Sequence, residues 1–284
     1  MTVDISVLLE GDDALSSLPE VFYRLRETVE SPDSSFEEIG ELVALDPGLS
    51  VRLLRIVNSA FYGFPSRIDS IPHAASITGT NQLLDLVLST AVIRLFKNIP
   101  GKTISMRTFW EHSLSCGLAA RIIANLKQES NPEGLFTAGL LHDLGILVLC
   151  KKIPSLEKQA LDLSRTNRCG LYEAERQVMG FDHAIIGAGL LKLWKLPGNL
   201  VEIVQYHHRN LPIHRQLPAL RIVQAADALA HCSEIDFGGG DPDLALKTIS
   251  WEQIGLSEKT HLPVIMERLD EMMAEVQESF LAEV

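Results

Sequence analysis

The stretch AGLLHDLGIL, Ala138 to Leu147, puts His142 and Asp143 side by side inside a run that otherwise reads as core. Apolar residues in this run and across nearly all of the chain recur at helical rather than strand spacing, and helix-ending residues fall where the pattern breaks. An all-α fold follows. Ser35 with Glu38 has capping-box spacing ahead of Ile39, Leu42 and Val43, and Asp46-Pro47 reads as an N-cap with proline at the first helical position. That next helix should carry Leu53, Leu54 and Val57 inward and end near Phe61-Tyr62-Gly63-Phe64-Pro65. Further helices are predicted at 72–97, 107–127, 132–149, 155–165, 171–178, 182–194, 198–207, 217–231 and 258–282. On this reading His142 and Asp143 lie within one helix.

The whole chain has 284 residues, 46% of them hydrophobic and 22% charged, the balance of an ordinary globular protein. A net charge of −12 and a pI near 5.2 work against attachment to nucleic acid or to an anionic membrane, which a basic field would recruit. Arg94, Lys97, Lys102 and Arg107 cluster around one loop, and four such charges are more often solvated than a nucleic-acid site. Cys116, Cys150, Cys169 and Cys232 are scattered and form no C-x-x-C pair, so a reduced, cytoplasmic setting is expected. The acidic N-terminus is a poor secretory signal, and no apolar run is expected to span a membrane. Gly238-Gly239-Gly240 is not followed by Gly-Lys-Ser/Thr and reads as a loop, not a phosphate cradle. The last segment sets Ile265, Leu269, Met272, Val276 and Phe280 on one face, which is either core or the surface of a homodimer or partner helix.

Several other polar residues share the setting of His142 and Asp143. They are His112 in FWEHSL, His183 in GFDHAIIGAGLL, His207 and His208 in VQYHHR, and Asp227 in VQAADALA. Each sits among apolar neighbours and so should face the interior or the floor of a cleft. An unpaired buried polar group costs about 1–3 kcal/mol, and a charge more. Convergence on a cation removes that cost. Imidazole and carboxylate without thiolate favour iron, manganese, zinc or nickel. A metal-free network of His-Asp hydrogen bonds is the alternative.

The order His, His-Asp, His, His-His, Asp on a helical chain resembles the HD superfamily of metal-dependent phosphohydrolases. The wording is closer to its HDOD (HD-related output domain) branch of bacterial signalling proteins. LDPGLSVRLLRIVNSAFYG, WEHS, AGLLHDLG, DHAIIGAGLLKLWKLP and HH carry the resemblance over about residues 15–232. It implies a multi-helix HD-like bundle with an N-terminal helical subdomain packed on it. The parts are an N-terminal segment at 1–14, an N-terminal helical half at 15–105, an HD-like metal-site half at 106–232, a loop at 233–257 and an amphipathic helix at 258–284. His112, His142, Asp143 and Asp227 would hold one divalent metal. Asp143 would bridge to a second, served by His183, His207 and His208. Arg209, His214 and Arg215 form a cationic stretch that could hold phosphate, with solvated surface charge as the plainer reading.

Two departures separate the chain from the hydrolytic HD-GYP branch. Ile146 stands where those enzymes carry a phosphate-contacting lysine, and Arg209-Asn210-Leu211-Pro212 follows the His pair without an acid or a Gly-Tyr-Pro. The expectation is therefore a signalling protein that holds metal and acts through a protein partner or a ligand such as a nucleotide. A phosphohydrolase of a nucleotide or cyclic dinucleotide is the alternative, and a metal-free interaction module is the third.

Overall fold

The computed structural model describes residues 5–9, 17–97, 99, 103–209, 218–232 and 246–281. Among them are fifteen helices and no strand: α1 (Ile5–Leu9), α2 (Glu20–Glu30), α3 (Phe36–Ala44), α4 (Pro47–Val57), α5 (Ile71–Thr78), α6 (Thr80–Phe96), α7 (Met106–Leu126), α8 (Pro132–Leu141), α9 (Leu144–Lys152), α10 (Pro154–Asn167), α11 (Leu171–Met179), α12 (His183–Leu193), α13 (Gly198–Tyr206), α14 (Pro218–Ala230) and α15 (Glu258–Leu281). The all-α reading holds. Contacts divide the chain into two compact units, Met1–Ser17 with Asn98–Leu269 and Leu18–Lys97 with Asp270–Val284.

The unit built on Leu18–Lys97 has an apolar interior. Phe22, Leu25, Ile39, Val43, Leu53, Ile56 and Val57 are buried on α2, α3 and α4, and Leu83 and Val87 on α6. Local chemistry starts each helix where the sequence signals it. Ser35 Oγ accepts from the Glu38 N–H while Glu38 accepts from the Ser35 N–H, both at 3.1 Å, closing the capping box. Asp46 Oδ1 takes the Leu49 N–H at 3.0 Å, and its other oxygen takes Arg94 at 2.8 Å. Past the end of α4, the Asn58 side chain bonds Leu54 O and both polar groups of Ile68, each at 2.7 Å, and this fixes the turn. The stripe on α15 is core: Val276 and Phe280 are buried, with Phe280 5.7 Å from the Phe61 ring, and Met272 is half-buried.

Two helices expected to be continuous are broken. The segment 72–97 divides into α5 and α6 at Gly79, which takes φ 94°, a backbone conformation that a side chain would strain. The segment 132–149 divides into α8 and α9 at His142 and Asp143. His142 closes α8 with helical angles, while Asp143 opens α9 at φ −99° and ψ 9°.

In the unit built on Asn98–Leu269, α7 packs on α8 and α14, α9 on α12, α10 on α11, and α12 on α13. Pro132–Lys152 is long and apolar enough to cross a membrane, but it is almost entirely buried inside the fold, as a core segment is. The glycine run 238–240 lies outside the described residues.

Candidate metal centre

Six elements bring the polar residues together. His112 comes from the middle of α7, His142 and Asp143 from the α8–α9 break, and His183 from the first turn of α12. His207 and His208 follow the end of α13, and Asp227 lies on α14. Asp182 caps α12 by accepting the Ile185 N–H at 3.1 Å, and Arg176 Nε holds that carboxylate at 2.7 Å. Gly145 makes the approach of α9 to α12 feasible. A Cβ there would lie 1.9 Å from the His183 carbonyl oxygen, so no larger residue lets Asp143 and His183 meet.

Asp143 serves two groups of donors. Its Oδ2 is 3.3 Å from His142 Nε2 and 3.8 Å from His112 Nε2. Asp227 Oδ1 completes that group, 3.4 Å from His112 Nε2 and 3.3 Å from His142 Nε2. Asp143 Oδ1 is 3.1 Å from His183 Nε2 and 3.3 Å from His207 Nε2. His208 Nε2 in turn lies 2.9 Å from His183 Nε2. Donors about 2.0–2.2 Å from one tetrahedral cation sit about 3.3–3.6 Å apart, so the first group has the spacing of a metal shell.

Hydrogen bonds on the far side of the rings fix which nitrogen carries a proton. His142 Nδ1 donates to Gly139 O at 2.6 Å and His207 Nδ1 to Val204 O at 2.7 Å. His183 Nδ1 donates to Glu175 Oε2 at 2.7 Å, and the same oxygen takes the His183 backbone N–H at 2.8 Å. A neutral ring so bonded turns a lone pair, not a proton, inward at Nε2. Lone pairs then meet carboxylate oxygens. Consistently, His142 Nε2, His207 Nε2, Asp143 Oδ1 and Asp227 Oδ1 are buried and make no hydrogen bond. The donor set, its spacing and these unsatisfied atoms fit a divalent cation, and both groups draw on Asp143.

Without a cation, protons must answer the same charges. Burial opposes a charge on His142, but Asp143, Cys116 and Asp227 together overcome it and hold the ring well above the usual imidazole range. Burial is likewise overcome at His183, by Glu175 and Asp143. Burial would raise Asp143 and Asp227, yet His142 and His183 hold the first well below the usual carboxylate range, and His231 and His112 the second. Burial pushes His208 down, with His207 and His183 adding to it, and burial lowers His112.

The structure thus brings together all seven residues named for metal. The phosphate stretch is another matter: His214 and Arg215 lie outside the described residues, and Arg209 sits with its guanidinium 6.0 Å from the Tyr206 ring centre. Arg94 and Arg107 are ion-paired, with Asp46 and Glu111 at 2.8 Å each. Four residues near the centre escaped the sequence reading. Glu175 supports His183, and the wholly buried Glu157 lies beyond it, its carboxyl raised well above the usual range by burial first and then by Glu175. His231 Nδ1 is 3.1 Å from Asp227 Oδ1. Cys116 is buried beside His142, its thiol pushed up by burial. Glu175 had a signal: it sits four residues after Leu171 and four before Met179, on the buried stripe of α11. His231 had one too, four residues past Asp227.

Solved structures share this architecture. An HDOD domain protein of unknown function from Geobacter sulfurreducens superposes with a TM-score of 0.75 at 24% identity, over 99% of this chain and 98% of that one. A Shewanella amazonensis SB2B protein, provisionally named a phosphohydrolase, gives 0.70 at 25% identity over 94% of each chain. A Marinobacter aquaeolei VT8 protein, provisionally named for signal transduction, gives 0.69 at 21% identity over 99% of this chain and 61% of that one. In sequence, an uncharacterized protein of Treponema pallidum (strain Nichols) is 26% identical over 204 residues, which are 70% of this chain but 38% of that protein. This chain therefore spans well under half the length of that relative. The sequence profile of the HDOD domain matches residues 15–210, and with the helical architecture and the His-Asp centre in place the chain belongs to the HDOD domain family.

Proposed function

We propose that this chain is a regulatory HDOD protein of the cytoplasm whose buried centre holds one or two divalent metal ions and which acts by binding a signalling partner or a nucleotide-type ligand. The observation that carries the metal is the pairing of like with like: imidazole lone pairs fixed by Gly139, Val204 and Glu175 meet carboxylate oxygens at 3.1–3.3 Å. His112, His142, Asp143 and Asp227 would hold one ion, and Asp143, His183, His207 and His208 the second. Such ions supply Lewis acidity and a lowered water pKa when bound. The protein's own residues orient the donors and keep them out of solvent.

Binding is favoured over turnover by what surrounds the donors. Ile146, at the position of the lysine that the hydrolytic branch uses, is 1% exposed and is part of the core. Arg176 is committed to Asp182, and Arg209 lies against Tyr206. The provisional phosphohydrolase name of the Shewanella protein supports the other reading, hydrolysis of a nucleotide or cyclic dinucleotide. The raised His142 and His183 rings support a third, a metal-free charge network.

Elemental analysis of the untagged chain separates the first two readings from the third. Bound metal is expected in the wild type and is expected to be lost in Asp143→Ala. A nucleotide and phosphodiester panel then separates the remaining two: metal-dependent turnover abolished by Asp143→Ala would replace the binding role with an enzyme.

A further inference from the structure

Glu157 and Glu175 are wholly buried, and neither is among the donors proposed for metal. Glu157 lies in the first turn of α10, on the buried stripe it forms with Ala160, Leu161 and Ser164. Glu175 lies on the buried stripe of α11, the helix packed on α10. The two side chains come within hydrogen-bonding reach of each other. Glu175 Oε2 is fully taken, by the backbone N–H of His183 at 2.8 Å and its Nδ1–H at 2.7 Å. The other three oxygens are not. Among the described residues, nothing donates to Glu175 Oε1 or to either oxygen of Glu157.

Two buried carboxylates in contact repel, and each leaves an acceptor without a donor. A metal ion would answer both charges, but these acids belong to none of the groups of three donors close enough together to hold one. A proton needs only the two. It belongs on Glu157, because the two N–H groups of His183 stabilise Glu175 as a carboxylate. Burial, and then Glu175, hold the Glu157 carboxyl well above the usual carboxylate range, with Asp143 adding to this and His183 opposing it. Cys150 of α9 feels both acids, and burial pushes its thiol up, so it brings no charge to the pair.

We infer that Glu157 is a neutral acid whose O–H donates to Glu175 Oε1, which makes it a positioning residue for His183, at one remove from the metal. This rests on the metal reading above. The contacts run from Glu157 to Glu175 Oε1 and from Glu175 Oε2 to His183 Nδ1, and they leave His183 Nε2 facing Asp143. Held at both oxygens, Glu175 cannot turn away from the ring. His183 thus gains a fixed anionic support where His142 and His207 have main-chain carbonyls, and one buried negative charge stands behind it instead of two.

The test uses the full chain. Near neutral pH, the infrared spectrum of metal-free protein should contain the carbonyl stretch of a protonated carboxylic acid, which carboxylates lack, and Glu157→Gln should remove it. Affinity for Co²⁺ alone, by equilibrium dialysis, reads the positioning. Glu157→Gln keeps the shape and an N–H donor for Glu175, so affinity should stay within about threefold of wild type. Glu157→Met keeps the volume without a donor, and affinity should fall about tenfold, at the low end of what outer partners of metal ligands contribute. Circular dichroism checks folding, and Glu157→Asp, whose shorter acid draws the O–H back, replaces Glu157→Met if that variant is unfolded. A spectrum unchanged in Glu157→Gln, or equal affinities in the two variants, would overturn the proposal and make Glu157 a packing residue. A wild type that shows the acid band but binds no Co²⁺ would instead overturn the metal reading, and the positioning role with it.

Discussion

The two compact units bury different things. In the unit of Leu18–Lys97 and Asp270–Val284, the buried polar residues among those described are hydroxyls: Ser89, Thr90 and Ser279. Ser89 donates to Asp85 O at 2.9 Å, and Thr90 to Leu86 and Val87 at 3.0 Å, so these two are satisfied by their own helix. The unit of Asn98–Leu269 buries His112, His142, Asp143, Glu157, Glu175, Asp182, His183, His207 and Asp227. Ionisable groups in a core weaken a fold unless a cation or a proton answers them. The first unit is thus packed for stability, and the second carries a structural cost that only a site explains.

That contrast breaks in measurable ways. Leu53→Ala, at a wholly buried position on α4, should cost about 2–5 kcal/mol in denaturant unfolding and leave the metal content of the folded protein unchanged. Loss of metal along with stability would merge the two roles that the units keep apart. Glu175→Gln should do the reverse. It removes the charge that fixes the His183 tautomer, and metal affinity should drop about 10–100-fold by competition with a chelator. An unchanged affinity would make the bond mere packing.

The response to pH sharpens the same comparison. The folded pKa of Glu157 lies above its unfolded value, so its contribution to stability is fully present below the ordinary carboxylate range and is lost as pH rises through the folded pKa. Metal-free protein should therefore lose part of its stability as pH rises out of the carboxylate range, and Glu157→Gln should flatten that slope in melts taken across pH. The smallest effect belongs to the apolar unit. Asp46→Ala removes the cap of α4 and the Arg94 pair, and about 1 kcal/mol of stability should go with them, with no change in metal binding.

Much of the architecture was legible because its signals are local. Ser35 with Glu38 and Asp46 with Pro47 start helices through bonds spanning three residues, and the structure places both caps as the spacing predicts. The breaks at Gly79 and at His142-Asp143 were not legible from periodicity, since apolar residues continue across each. The second break matters most. It lets one carboxylate present an oxygen to each group of donors, which residues facing one side of an unbroken helix would not readily do. Glu157, Glu175 and His231 were missed because an acid or an imidazole on a helix is usually solvated, and only burial and partners reveal another role.

By itself the sequence determined the helical class, the caps, and the kind of donors present: histidines and aspartates without cysteine among them, set in apolar surroundings. Tertiary structure alone decided that His112, His142, Asp143, His183, His207 and Asp227 meet, which ring nitrogen each presents, and that Glu175 stands behind His183 while His231 stands at the solvent side of Asp227. The physical reason is range. Caps and periodicity act within a few residues, whereas a metal shell is assembled by helix packing, such as the close pass of α9 and α12 at Gly145. Periodicity reports which residues face inward, and packing sets what they face.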